Sequence, residues 1–260
     1  MSSTADPQFF GNHGCALFGY LASASIAVWF FLGLCVGRGR NGISLCMVSY
    51  RSGTVAIEME QHEPAGTGAH PGIVVLHGSG GAGSYWMDRF SPTLMKFGVG
   101  AYAPHYLQKT GSQRATAEMI LDGKHFPEWL GAIRDAVDYV AARPGIDARR
   151  IGVLGVSLGG YLAVALGIED RRMRAVIELS GGLPMGWEDR VSQGMAPVLI
   201  LHGAADTVVP VSEAHKLQGV LRERRVACEM EVFPGEGHWF SAGAQARVLM
   251  RCAQFLGQYL

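Results

Sequence analysis

A serine lies between two glycines where a predicted strand meets a predicted helix. The segment Gly155-Val156-Ser157-Leu158-Gly159 closes an apolar run over 150–156 and opens a helical pattern over 158–168. The glycines allow a strand-to-helix turn that is too tight for larger side chains, and such a turn holds the serine hydroxyl out of the sheet. An exposed hydroxyl held in this way can attack a carbonyl carbon. The pattern therefore makes acyl transfer the leading hypothesis.

A nucleophilic serine needs a base and an acid that orients the base, and the chain has both in suitable places. Asp206 follows the predicted strand 197–201, and His238 follows the predicted strand 227–233. Neutral imidazole takes up a hydroxyl proton near working pH. A carboxylate behind the imidazole fixes its tautomer and stabilises the imidazolium that forms. We therefore predict that Ser157, Asp206 and His238 form a catalytic triad.

Each of these assignments has an alternative. Glu178, near the end of the predicted strand 174–179, is the rival to Asp206 as the acid of the triad. Asp206 would then be a solvated loop residue. Ser157 would otherwise be an ordinary turn serine, and His238 a structural histidine.

The negative charge that develops on a carbonyl oxygen during attack needs two backbone N–H donors. Leu158, directly after the serine, is predicted to supply one of them. The glycine-rich loop after the apolar run 73–76 is predicted to supply the other, from Gly78 or Ser79. His77 in the same loop is expected to hydrogen-bond within the loop rather than to titrate during catalysis.

Strands and helices alternate along the body of the chain. An antiparallel hairpin is predicted over 48–60. Apolar runs typical of buried strands occupy 73–76, 100–103, 150–156, 174–179, 197–201 and 227–233, and helical patterns occupy 127–143, 158–168, 212–225 and 241–259. This order predicts an α/β fold with a mostly parallel central sheet and helices on both faces. Ligands of such folds bind beyond the carboxyl ends of the strands, where the three candidate catalytic residues fall.

The glycine-rich loop also matches the dinucleotide-binding fingerprint through Gly78, Gly80 and Gly83, which would indicate an oxidoreductase. That function requires an acidic residue at the end of the next strand, to hold the ribose. The next predicted strand ends at Ala103-Pro104-His105, and Asp88 precedes that strand. The sequence therefore disfavours a nicotinamide or flavin cofactor.

Composition excludes further classes of protein. The formal net charge is zero and the isoelectric point is about 7.1, so no electrostatic argument supports nucleic-acid binding. The chain has no HExxH motif and no phosphate-binding GxxxxGK[ST] loop, so neither a metal site nor nucleotide hydrolysis is predicted. The five cysteines have no CxxC spacing, which is typical of free thiols in a reducing compartment.

The N-terminal part differs from the rest of the chain. Residues 7–37 include no Asp, Glu, Lys or Arg, and residues 14–36 are largely apolar and long enough to span a bilayer. We predict a transmembrane helix at 14–36, within an N-terminal segment 1–46 that precedes a catalytic domain at 47–260. A cleaved signal peptide fits less well, because no basic residue precedes the run.

Basic residues follow the apolar run, at Arg38, Arg40 and Arg51. By the positive-inside rule, the catalytic domain would be anchored to the membrane on its cytoplasmic side. The alternative is that translation starts near Met47, which would give a soluble cytoplasmic protein.

With these loops in view, the body resembles the dienelactone hydrolase family of α/β-hydrolases over residues 48–258. The resemblance is carried by the helix–strand unit 129–160 and by the segments Leu76-His77-Gly78-Ser79-Gly80-Gly81, Leu201-His202-Gly203-Ala204-Ala205-Asp206 and Gly235-Glu236-Gly237-His238-Trp239-Phe240. It implies the α/β-hydrolase fold and hydrolysis of an ester, lactone or thioester through an acyl-enzyme, with a small-molecule substrate and no cofactor. The founding enzymes of the family carry cysteine where this chain has Ser157. Cysteine-based lactone hydrolysis therefore does not carry over.

Several alternatives remain open. Similar motifs occur in prolyl-oligopeptidase-like peptidases and in small carboxylesterases, and the same triad would support peptide cleavage or acyl transfer to an alcohol. A hydrolase fold used only as a binding module is a third class. The aromatic residues near the predicted strand ends are candidates to line an acyl pocket: Tyr106, Phe126, Trp187 and Trp239. The sequence predicts neither the acyl length nor the oligomeric state.

Overall fold

The computed structural model describes residues 46–66, 68–81 and 84–260. The predicted transmembrane helix at 14–36 lies outside these residues, and the boundary between residues 46 and 47 stays a prediction. Within the part of the chain that is described, none of the helices combines the length and the apolar character needed to cross a bilayer.

A single eight-stranded sheet forms the centre of the described residues. Its strands are β1 (Cys46–Ser52), β2 (Val55–His62), β3 (His70–Leu76), β4 (Gly100–Pro104), β5 (Ile146–Val156), β6 (Met173–Leu179), β7 (Val198–Gly203) and β8 (Cys228–Phe233). The strand order is β1-β2-β4-β3-β5-β6-β7-β8. β1 and β2 form the predicted antiparallel hairpin, and β2 is also antiparallel to β4. All the other pairs are parallel, so the carboxyl ends of β3 to β8 meet at one edge.

Helices cover both faces of this sheet, as the alternating pattern predicts. They are α1 (Ser84–Lys96), α2 (Ala117–Leu121), α3 (His125–Ala141), α4 (Leu158–Glu169), α5 (Val211–Glu223) and α6 (Ala242–Tyr259), with 3-10 turns at Tyr106–Thr110 and Glu188–Arg190. α3, α4 and α5 pack into one hydrophobic core on one face. α1 and α6 pack into a second core on the other face. The fold class is therefore confirmed.

The best predicted helix is present as α3, displaced by two residues from the predicted range 127–143. Its predicted apolar face is buried, at Trp129, Leu130, Ile133, Ala136, Val137 and Val140. α1 and α2 are not predicted from the sequence, because Pro92 lies inside α1 and α2 has only five residues. β5 begins at Ile146 rather than at 150, since its polar first residues still belong to the strand.

Shortening a side chain in the core beneath α3 should reduce the stability of the fold. Ile133 is fully buried between α3 and the sheet. Ile133→Ala leaves a cavity and should lower the free energy of unfolding by about 2–5 kcal/mol, whereas Ile133→Val should lower it by about 0.5–1.5 kcal/mol. Urea denaturation followed by circular dichroism measures both. Equal losses for the two variants would contradict the packing described.

Candidate active site

Ser157 lies on a strained turn between β5 and α4. Its φ is 57° and its ψ is −120°, a backbone conformation that residues other than glycine rarely adopt. The Ser157 N–H donates to the carbonyl oxygen of Leu179 at 2.9 Å, which ties the turn to the end of β6. A Cβ atom at Gly155 would collide with the carbonyl oxygen of Gly159, and one at Gly159 would collide with that of Leu76. Both glycines are therefore required by the close approach of α4 to the sheet.

The loops after β7 and β8 bring the two other predicted residues to this serine. The Nε2 atom of His238 is 3.1 Å from the Ser157 Oγ atom, and its Nδ1 atom is 2.8 Å from the Asp206 Oδ2 atom. An ionised carboxylate only accepts, so we assign the Nδ1–H as donor to Asp206 and the Ser157 hydroxyl as donor to Nε2. All three residues are buried. The structure therefore forms one unbroken hydrogen-bonded chain from the hydroxyl to the carboxylate.

The second carboxylate oxygen of Asp206 is also occupied. Its Oδ1 atom accepts the backbone N–H groups of Val208 at 2.8 Å and Val209 at 2.9 Å. Burial opposes the charged form, but these bonds and the one from His238 outweigh it and hold the pKa of Asp206 below its ordinary value. Asp206 is therefore ionised and fixed in orientation at neutral pH.

His202 lies next to the site, and no role for it is predicted from the sequence. Its Nε2 atom is 2.9 Å from the carbonyl oxygen of Val209 and 3.4 Å from the Asp206 Oδ2 atom. Burial lowers the pKa of His202 and keeps the ring neutral, so its Nε2–H donates to Val209. The ring thus fixes the turn that presents two amides to Asp206. The only feature of the sequence that could have indicated this role is a polar residue inside the apolar strand β7.

Glu178 lies beneath the turn at Ser157, at the end of β6. Its side chain is fully buried, and its Oε1 atom accepts a short hydrogen bond from the Gly181 N–H. Burial and the nearby charge of Asp206 raise the pKa of Glu178 to about 8, so its carboxyl is mainly neutral at pH 7. His238 binds Asp206 rather than this rival acid. Glu178 instead supports the loop whose Gly181 packs against the Ser157 carbonyl oxygen.

Two of the predicted oxyanion donors, Leu158 and Gly78, lie beside Ser157. Leu158 is the first residue of α4, a position whose N–H has no acceptor within its own helix. A Cβ atom at Gly78 would be 3.3 Å from the Cβ atom of Ser157, so the loop after β3 passes directly alongside the serine. The Ser79 carbonyl oxygen accepts the Ala115 N–H at 2.8 Å, which holds this loop from outside. The oxyanion roles of Leu158, Gly78 and Ser79 remain predictions.

His77 and Tyr106 make the same loop rigid. The two rings stack at 4.2 Å, and the Tyr106 hydroxyl donates to the His77 carbonyl oxygen at 2.7 Å. The His77 Nδ1–H donates to the Gly78 carbonyl oxygen at 2.8 Å, and burial lowers the pKa of His77 to about 4. His77 is therefore a neutral structural residue within the loop. Tyr106 is one of the four candidates to line an acyl pocket, but it is fully buried beneath the loop and therefore does not line one.

Within residues 46–66, 68–81 and 84–260, no group of three or more His, Cys, Asp or Glu side chains could hold a metal ion. The cysteines in these ranges, Cys46, Cys228 and Cys252, are free thiols.

The raised pKa of Glu178 has a measurable effect on stability. Between about pH 4.5 and pH 8 the folded protein keeps a proton on Glu178 that the unfolded chain has lost, so rising pH destabilises the fold across this range. Gln cannot ionise. Glu178→Gln should therefore gain stability relative to the original protein as pH rises from 5 to 8.5, by on the order of a few kcal/mol.

Thermal unfolding of both proteins at each pH measures this difference, and the same substitution at the exposed Glu223 is the control. A Tm difference between Glu178→Gln and the original protein that does not change with pH would show that the buried carboxyl is not a neutral acid.

The fold has counterparts of known structure. A dienelactone hydrolase-like promiscuous phosphotriesterase from metagenomic libraries superposes with a TM-score of 0.73 at 19% identity, covering 84% of this chain and 98% of that one. The Pyrococcus horikoshii acylaminoacyl peptidase superposes with a TM-score of 0.69 at 17% identity, covering 83% of this chain and 41% of that one. At these identities the likeness establishes the α/β-hydrolase fold alone.

Sequence comparison identifies related proteins that share one provisional name. A Yersinia pestis protein provisionally named carboxymethylenebutenolidase is 24% identical over 200 residues, which cover 68% of this chain and 70% of that protein. A Salmonella typhimurium protein with the same provisional name is 27% identical over 134 residues, covering 48% of this chain and 46% of that protein. The model of the dienelactone hydrolase family matches residues 58–257, most of the chain. The chain therefore belongs to the dienelactone hydrolase family.

Proposed function

We propose that this member of the family is a serine hydrolase that cleaves a small carboxylic ester, lactone or thioester through an acyl-enzyme intermediate. The observation that carries the proposal is the chain of hydrogen bonds from the Ser157 hydroxyl through His238 to Asp206. Family membership and the provisional name of the relatives, which denotes a lactone hydrolase, support the same reaction class.

In the first half-reaction the Ser157 Oγ atom attacks the substrate carbonyl carbon while the His238 Nε2 atom takes the hydroxyl proton. Asp206 keeps its charge and stabilises the imidazolium that forms. The carbonyl oxygen becomes an oxyanion, which the Leu158 N–H and an amide of Gly78 or Ser79 would bind. When the tetrahedral intermediate collapses, His238 returns its proton to the leaving alkoxide or thiolate, and the acyl group stays on the serine.

In the second half-reaction water replaces the leaving group. His238 takes a proton from this water as its oxygen attacks the acyl carbon, and collapse of the second tetrahedral intermediate releases the carboxylic acid and restores the Ser157 hydroxyl. Transfer to an alcohol instead of water, or cleavage of a peptide, would use the same residues. A panel of ester, lactone and peptide substrates distinguishes these outcomes.

Removing the nucleophile tests the proposal directly. A fluorophosphonate probe should label the protein at Ser157, and Ser157→Ala should abolish labelling and lower the turnover of an ester by at least about 10⁴-fold. Ser49→Ala, an exposed serine on β1, is the matched control and should label normally. If Ser157→Ala lowers the turnover by less than about tenfold, Ser157 is rejected as the nucleophile.

We also propose that residues 14–36 anchor the protein in a membrane with the catalytic domain on the cytoplasmic side. The support is the apolar run and the arginines that follow it. Carbonate-washed membranes should retain the full-length protein, and a shortened chain that begins at Met47 should be found in the soluble fraction. Recovery of the full-length protein from the soluble fraction alone would refute the anchor.

A further inference from the structure

Large apolar side chains are exposed on the segments that follow the carboxyl ends of the parallel strands. Four of them follow the carboxyl ends of strands: Leu121 after β4, Met185 after β6, Val208 after β7 and Trp239 after β8. Their exposed fractions are 73%, 85%, 64% and 64%. We call these four residues the apolar rim. Single exposed apolar side chains are common on protein surfaces, but exposed apolar groups that gather at a site mark a binding surface.

Two members of the apolar rim lie next to the triad. The Trp239 ring packs edge-on against the His238 ring, with 5.2 Å between the ring centroids. The backbone N–H of Val208 donates to the Asp206 carboxylate at 2.8 Å. These two side chains are largely exposed, whereas the triad that they adjoin is buried.

The other two members, Met185 and Leu121, lie on the segments that follow β6 and β4. The loop that carries Met185 begins at Gly181, where a Cβ atom would be 2.9 Å from the Ser157 carbonyl oxygen. The Trp187 ring in this loop packs edge-on against Phe126 of α3, at 6.2 Å between centroids. This contact joins the loop to the α2–α3 corner, which carries Leu121.

We propose that the apolar rim binds the hydrocarbon chain of the substrate, so that among small esters those with an apolar chain of medium length are preferred over acetates. The inference rests on the proposed ester hydrolysis at Ser157 and specifies its substrate class. The occupant is the substrate itself, because three of the four residues lie on segments that contact the triad: Trp239 beside His238, Val208 beside Asp206, and Met185 on the loop whose Gly181 approaches Ser157. The rim residues carry no charge, so they offer the chain dispersion contacts and release of water rather than ion pairs.

A series of p-nitrophenyl esters, each kept below its aggregation concentration, tests the proposal. Moving one methylene completely out of water changes a binding equilibrium by roughly fourfold. A surface that covers only one side of the chain gives about half of that free energy, which is about twofold for each methylene. The value of kcat/KM should therefore rise by roughly 60-fold from acetate to octanoate. A parallel series of alkyl acetates places the same chain in the alcohol. A rise in either series supports the proposal, and a rise in neither overturns it.

Variants locate the effect on the rim. Met185→Ser and Val208→Ser should each lower the octanoate-to-acetate ratio of kcat/KM by about three- to tenfold. The matched control is Phe97→Ser, because Phe97 is 67% exposed but follows α1 at the opposite edge of the sheet. The ratio cancels differences in the amount of folded enzyme. An equal change in Phe97→Ser, or none in the rim variants, would overturn the proposal, whereas failure to hydrolyse any ester would contradict the proposed function instead.

Discussion

The close approach of α4 to the ends of β3 and β5 is the constraint on which the rest of the site depends. It forces Ser157 into a positive φ, a conformation that costs on the order of 1–3 kcal/mol. Hydrogen bonds on both sides offset this strain: the Ser157 N–H donates to Leu179 at 2.9 Å, and its carbonyl oxygen accepts the Gly160 N–H at 2.8 Å. The same turn leaves the Leu158 N–H at the start of a helix, where it has no acceptor within that helix.

The site also depends on a difference in hydrogen bonding between two buried carboxyl groups. Asp206 receives hydrogen bonds from two backbone amides and from His238, and its pKa is lowered. Glu178 receives one from Gly181, its Oε2 atom has no partner among the residues that the structure describes, and its pKa is raised to about 8. Two ionised carboxylates at this place would repel each other. The distribution of donors therefore selects which acid is charged, and it selects the one in contact with the imidazole.

Much of this arrangement could be predicted because short stretches of the sequence determine it. Ser157, Asp206 and His238 each follow a predicted strand, and parallel strands bring such loops to one edge whatever the details of packing. The interactions that could not be predicted depend on tertiary contacts. Nothing near Glu178 in the sequence reveals that it is buried under the turn, and nothing near Tyr106 reveals that its ring stacks on His77. α1 also escaped prediction, because Pro92 lies inside it and the burial of Met87, Phe90 and Leu94 depends on tertiary contacts.

A serine in this position requires more of its surroundings than a cysteine would. A thiol ionises near neutral pH and attacks as a thiolate, whereas in the proposed mechanism the Ser157 hydroxyl loses its proton only as it attacks, so that mechanism requires His238 to be aligned beforehand. The contacts of His238 with Ser157 at 3.1 Å and with Asp206 at 2.8 Å supply this alignment. Because a triad of this kind would act only on the reacting carbonyl group, selectivity among acyl groups would come from side chains outside it. Among the described residues, the exposed Trp239 and Val208 adjoin the triad.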